Sequence, residues 1–208
     1  MKILVEQLSK RFQQQWIFKN LYFEFEAPGI YGIAGPNGSG KSTLMQILAG
    51  LIPPTKGNIQ YVLDGQSLGE DRLYQFISYA APYAELYEYF TIRELLNHHT
   101  RFKPFYPQWS AERFIERCYF QGHENKWIKT LSSGMKQRLR LGLSILSQSK
   151  ILFLDEPLTN LDATAIQWYH QLLDECKKQR LIIISSNDAK DFENTVSVLE
   201  LSDWKAGN

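Results

Sequence analysis

Cysteine is nearly absent from this chain: Cys118 and Cys176 are the only two in 208 residues. Two thiols so far apart match no metal-ligand spacing and cannot build a disulfide framework, so both are expected to be free in a reducing cytoplasm. Long apolar runs are missing as well. None exceeds five residues, whereas crossing a bilayer takes about 18–20. The chain is therefore expected to be soluble by itself, with any membrane role arising through a partner. The opening MKILVEQLSKRF has neither the apolar stretch nor the small-residue cleavage site of a signal peptide. Neither sign of charge is in excess. The 23 basic and 22 acidic residues are spread along the chain and leave a net charge of +1, which offers a nucleic-acid partner no basic face. His98, His99, His123 and His170 show no metal spacing and read as surface or packing residues, with the adjacent His98 and His99 facing different ways on a helix.

What is present is ordinary globular material. Hydrophobic residues make up 44% and charged residues 22%, enough to bury a sizeable core in one domain or in a core with a lodged subdomain. Short strand-like pieces open the chain at Ile3–Glu6, Leu21–Glu26 and Gly29–Ala34. A Gly-rich turn follows, then a helix over Ser42–Leu51 with apolar residues at Leu44, Ile47, Leu48 and Leu51. The break PPTKG leads into a strand over Asn58–Leu63. From about Thr91 to Ser149 the character is helical. Thr91 with Glu94 forms a capping-box pattern before Ile92–His99, Ser110 caps Ala111–Phe120, and Leu131–Ser149 makes a third helix. Strands return at Ile151–Leu154, Leu181–Ser185 and Val196–Leu201, with an amphipathic helix at Ala163–Lys177. Strands alternating with helices argue a parallel α/β sheet, and the helical middle reads as an insert into it.

GPNGSGKST comprises Gly35, Pro36, Asn37, Gly38, Ser39, Gly40, Lys41, Ser42 and Thr43. It satisfies the P-loop pattern between a strand and a helix. Gly38 and Gly40 let successive backbone N–H groups turn toward phosphate oxygens, and the following helix adds its positive end. Lys41 is suited to the β- and γ-phosphates and Ser42 to Mg²⁺. ILFLDEP supplies a buried strand ending at Asp155, a second Mg²⁺ ligand. Glu156, one residue on, is placed to polarise a water for attack on the γ-phosphate.

LSSGMKQR (131–138), taken with TNLD (159–162), makes the sequence resemble the ATP-binding cassette (ABC) ATPases, which power membrane transporters. The resemblance covers nearly the whole chain and keeps the motif order. It implies an α/β P-loop NTPase fold with a mainly parallel sheet core, an N-terminal antiparallel β subdomain and a helical subdomain inserted at about 84–135. The whole of 1–208 is then one ABC ATPase domain. It also implies ATP hydrolysis with Mg²⁺ in a head-to-tail dimer, with an identical or a different ABC ATPase subunit. That dimer would sit on integral membrane transporter subunits at the cytoplasmic face of the cell membrane. Ser132, Ser133, Gly134 and Met135 are then the signature that meets the γ-phosphate of the partner's ATP. A second glycine is more usual at Ser133, and Gln is often found at Met135. Phe12, 23 residues before Gly35 (35 − 12), matches the adenine-stacking aromatic, with Trp16 a neighbouring competitor. Asp162 matches the residue that communicates between the two sites. TIREL (91–95) and the aromatic-rich AAPYAELYEYF (80–90) match the region facing the membrane partner.

Two positions depart from the family. Pro82 stands where a Gln usually senses Mg²⁺ and water, and it has no side-chain donor or acceptor; Tyr83 and Glu85 are the nearby polar groups. Asn187 stands where a His usually bonds the γ-phosphate, and its amide can still donate. Slowed hydrolysis with retained ATP binding is the expectation. With no regulatory domain expected after Trp204, the size resembles the small cassettes of exporters, including those of haem or cytochrome maturation. One alternative is an ATP-gated binding or regulatory module with weak hydrolysis. Another is a soluble ABC-type ATPase of DNA repair or translation, but those usually carry two cassettes or long coiled-coil inserts.

Overall fold

A long antiparallel hairpin begins the chain: β1 (Lys2–Phe12) and β2 (Gln15–Glu26), joined so that Phe12 faces Gln15. The computed structural model describes residues 1–192 and 194–205. Both strands are longer than the expected Ile3–Glu6 and Leu21–Glu26. The reason is a slip in β1, where Gln7 has a positive φ of 51° and the register shifts between Val5 and Leu8. The slip resets the alternation, so a simple period-two pattern ends early while the pairing continues. With β4 (Lys56–Leu63) and β5 (Gln66–Leu68) these strands form an antiparallel sheet in the order β2-β1-β4-β5.

A second sheet carries the order β6-β7-β8-β3-β9, from β3 (Gly29–Ala34), β6 (Ile77–Ala80), β7 (Ile151–Asp155), β8 (Leu181–Ser186) and β9 (Ser197–Glu200). β3 runs parallel to β8 and β9, and β7 runs parallel to β8. β7 and β8 are buried along their whole length, as continuous apolar runs in parallel sheets require. Register aligns the strand ends: Asp155 and Ile33 both pair with Ser185, and Ala34 pairs with Ser186. Three chain segments therefore leave the sheet side by side, the place where open α/β sheets hold ligands.

α1 (Lys41–Leu48) lies against β7 and β8. It stops before the expected Leu51. Gly50 takes φ 71°, its N–H bonds Ile47 O at 3.0 Å, and Leu51 N–H bonds Gln46 O at 2.9 Å. That pair of bonds is a Schellman stop, and it turns Leu51 out to solvent. Residues of both sheets and of α1, among them Ile3, Phe25, Ile33, Leu44, Leu48, Phe153 and Ile183, form one core cluster. A short helix, α2 (Glu70–Leu73), completes the helices of this first unit, which comprises Met1–Tyr79, Ser149–Glu156 and Lys177–Asn208.

The second unit, Ala80–Gln148 and Pro157–Cys176, is helical: α3 (Ile92–Phe102), α4 (Ala111–Arg117), α5 (Ser133–Leu146) and α6 (Ala163–Cys176). Thr91 and Glu94 close a reciprocal capping box on α3, and Ser110 Oγ accepts Arg113 N–H on α4. Each such cap stabilises its helix by about 1 kcal/mol. α4 ends short of the expected Phe120, because Tyr119 adopts φ 56°. Phe105 and Phe114 stack with centroids 5.3 Å apart, and Trp168 Nε1 donates to Arg117 O at 2.7 Å, tying α6 to α4. Among the described residues no helix is long and apolar enough to cross a membrane.

Candidate nucleotide site

The loop Gly35–Gly40 joins β3 to α1. Gly38 and Gly40 sit at φ 76° and 103°, a region that side chains disfavour, and a Cβ at Gly40 would lie 2.2 Å from Ile17 Cγ2. No side chain caps α1 and its first turn holds no acidic residue, so the positive end of the helix is open to an anion. Lys41, only 5% exposed, folds back along the loop. Its ammonium donates to Gly35 O at 2.9 Å and Pro36 O at 3.4 Å, and stands 3.3 Å from Glu156 Oε1. The hydroxyl of Ser39 is buried and makes no hydrogen bond among the described residues. Ser42 and Thr43 occupy the first turn of α1.

Asp155 ends β7 fully buried. Its Oδ1 accepts a short hydrogen bond from Ser185 Oγ, and Oδ2 accepts one from Tyr79 OH at 3.3 Å. Glu156 follows at φ 46°, with its N–H bonded to Ser185 O at 2.9 Å. The left-handed turn ends the strand abruptly, and the Glu156 carboxylate reaches Lys41. Asn187, exposed just past β8, donates its amide to Asn37 Oδ1 at 3.3 Å. The first unit thus brings Asn37, Lys41, Asp155, Glu156 and Asn187 to one sheet edge. Ser42 and Asp155 are hard oxygen donors, one hydroxyl and one buried carboxylate. That set suits Mg²⁺ accompanied by phosphate oxygens.

Phe12 lies at the end of β1 with about half its surface exposed, and the Lys10 ammonium stands 4.9 Å from its ring centroid. Trp16, opposite Arg11 in the hairpin, is engaged by Arg11 and Lys19 at 5.2 and 4.9 Å.

The remaining candidate residues belong to the second unit. Ser132 is the N-cap of α5, its Oγ accepting Met135 N–H at 3.2 Å, and Ser133 and Gly134 form the first turn. A Cβ at Gly134 would lie 3.1 Å from Asn160 O. Asp162 caps α6 through Ala165 N–H at 2.8 Å. Pro82 sits in a turn closed by Ala84 N–H to Ala81 O at 3.0 Å. Tyr83, Glu85, Glu88, Lys136 and Arg140 line a cavity of about 320 Å³. There Lys136 pairs with Glu88 at 2.9 Å and holds that carboxyl below its usual range, while burial lowers Arg140. His98 and His99 pack against neighbouring rings. His98 meets Tyr87, Phe90 and Phe102, and His99 stacks on Phe105 with Nε2 2.7 Å from Ser147 Oγ.

Two residues of these networks carry no sequence signal of their own, and a third lies in the LSSGMKQR stretch but shows its contact only in the fold. Tyr79 and Ser185 acquire their partner only through strand register. Gln137, buried on α5, donates to Pro157 O at 3.0 Å and fixes the start of the loop that leads to Asp162.

Comparison with known proteins identifies the family. The family model described as ABC transporter matches residues 18–159. The chain is 34% identical over 193 residues to the uncharacterized ABC transporter ATP-binding protein YxlF of Bacillus subtilis (strain 168), covering 91% of this chain but 63% of that protein. It is 33% identical to the cytochrome c biogenesis ATP-binding export protein CcmA of Reclinomonas americana, covering 88% of this chain and 84% of CcmA. The dimeric ATP-binding cassette MJ0796, solved in a post-hydrolysis state with ADP and Pi, superposes with a TM-score of 0.81 at 20% identity, covering 96% of this chain and 94% of that one. With Lys41, Asp155 and Glu156 meeting at the sheet edge of a P-loop fold, the chain belongs to the ABC transporter family and has the fold of its ATP-binding cassettes. It spans less than two thirds of the length of YxlF.

Proposed function

We propose that this chain hydrolyses ATP as one half of a head-to-tail cassette dimer and so drives separate integral membrane transporter subunits. The observation that carries the reading is the meeting of Lys41 Nζ with Glu156 Oε1 at 3.3 Å, beside the buried Asp155. Lys41 and the N–H groups of Gly38–Thr43 bind the phosphates, and Phe12 stacks on the base. Ser42 and Asp155 would hold Mg²⁺, which would supply positive charge to offset that of the phosphates. Glu156 orients a water in line with the γ-phosphorus and accepts its proton as the bond to the bridging oxygen breaks. Asn187 donates to a γ-phosphate oxygen. Ser132, Ser133, Gly134 and Met135 contact the partner cassette's ATP, and Asp162 links the two sites.

The dimeric state of MJ0796 supports pairing, and the export role in the name of CcmA supports an exporter. The partner would dock where Tyr83, Tyr87 and Tyr89 stand exposed beside the cavity of the second unit. Phosphate release by the chain with its membrane subunits tests the reading. Turnover well above background is expected, and it should be lost in Lys41→Ala. ATP binding with turnover at background would favour an ATP-gated regulatory module instead, the reading to which Asn187 and Pro82 lend support.

A further inference from the structure

Ser185 touches both members of the Asp155–Glu156 pair. Its hydroxyl donates to Asp155 Oδ1, while its backbone carbonyl accepts the Glu156 N–H at 2.9 Å. The register of β7 on β8 sets Ser185 directly opposite Asp155, and both are fully buried. Tyr79 OH stands 3.3 Å from the other carboxylate oxygen, its ring 6.0 Å from Phe153. Each carboxylate oxygen has two lone pairs. A hydroxyl on each oxygen restrains the rotation of the carboxylate.

We propose that Ser185, assisted by Tyr79, is a positioning residue that locks the Asp155 carboxylate for Mg²⁺. This rests on the reading that Asp155 holds the metal of an Mg·ATP complex. Mg²⁺ demands near-ideal octahedral geometry, so a carboxylate free to rotate serves it poorly. Outer-shell partners of metal ligands are commonly worth ten- to a hundredfold in metal affinity. The role is confined to the hydroxyl, because Ser185→Ala keeps the carbonyl that holds Glu156. Tyr79→Phe likewise keeps the ring.

The test is calorimetric binding of a non-hydrolysable ATP analogue to the full chain, with Mg²⁺ and with EDTA. The quantity read is the ratio of the two dissociation constants. In Ser185→Ala the gain from Mg²⁺ should fall about tenfold while affinity in EDTA stays unchanged. Tyr79→Phe should lose less, and Ser185→Thr should restore the gain. If the parent chain gains nothing from Mg²⁺, the metal reading of Asp155 fails and this inference with it. If the parent gains and Ser185→Ala gains equally, only the positioning role is overturned. Equal loss of affinity with and without Mg²⁺ in Ser185→Ala would mark a merely structural serine and overturn it too.

Discussion

Lys41 Nζ and Glu156 Oε1 lie 3.3 Å apart, so the cation suited to phosphate and the carboxylate suited to the attacking water neutralise each other. A triphosphate must part them. With Lys41 5% and Glu156 26% exposed, solvent screens the pair only in part, so it is worth at least about the 0.2–1 kcal/mol of ordinary surface ion pairs. Glu156→Gln should therefore bind ATP in EDTA about two- to fivefold more tightly. Equal affinities for the two chains in a titration would mean the pair does not compete with nucleotide.

Asn187 bonds Asn37 of the loop Gly35–Gly40, and its short amide is the group we propose for a γ-phosphate oxygen. Asn187→His should raise kcat several-fold with little change in nucleotide affinity, since the ring reaches farther and can carry charge. A kcat at or below that of the parent chain would remove Asn187 from the chemistry.

Phe12 is the more exposed ring, with Lys10 alone beside it, whereas Trp16 is less exposed and is engaged by both Arg11 and Lys19. Stacking of a base on an aromatic is worth about 1–3 kcal/mol. Phe12→Ala should raise the KM for ATP about tenfold with kcat kept, and Trp16→Ala should do much less. The reverse order would transfer the base-stacking role to Trp16.

Burial beside Phe105 pushes His99 down from 6.5 to about 4. Ser147 Oγ donates to Leu143 O, so His99 shares its Nε2–H with Ser147 as the neutral ring. The unfolded chain thus binds a proton that the folded chain refuses. Stability from this group is complete above about pH 6.5 and is lost as pH falls toward about 4, by up to about 3 kcal/mol. Urea midpoints of His99→Gln should decline less steeply across that window. Parallel declines for the two chains would show that His99 does not titrate in folding.

The strand Gly29–Ala34 and the helix start at Ala163 were legible because apolar runs and caps are local signals. The capping box of Thr91 and Glu94 was equally local. The full lengths of β1 and β2 were not, since the slip at Gln7 hides their alternation. The P-loop and ILFLDEP stood out as motifs. The ion pair of Lys41 with Glu156 and the hydroxyls of Ser185 and Tyr79 on Asp155 did not. Those contacts join residues 115, 30 and 76 positions apart (156 − 41, 185 − 155 and 155 − 79), and only the packing of the strands and of the loop before α1 makes them neighbours.

The central claim is that two copies close around ATP and that Glu156 reopens them by hydrolysis. Sedimentation of Glu156→Gln with Mg²⁺ and ATP tests it most directly. A shift from monomer to dimer that disappears when ATP is replaced by ADP is the predicted result. A chain that stays monomeric with saturating Mg·ATP would contradict it.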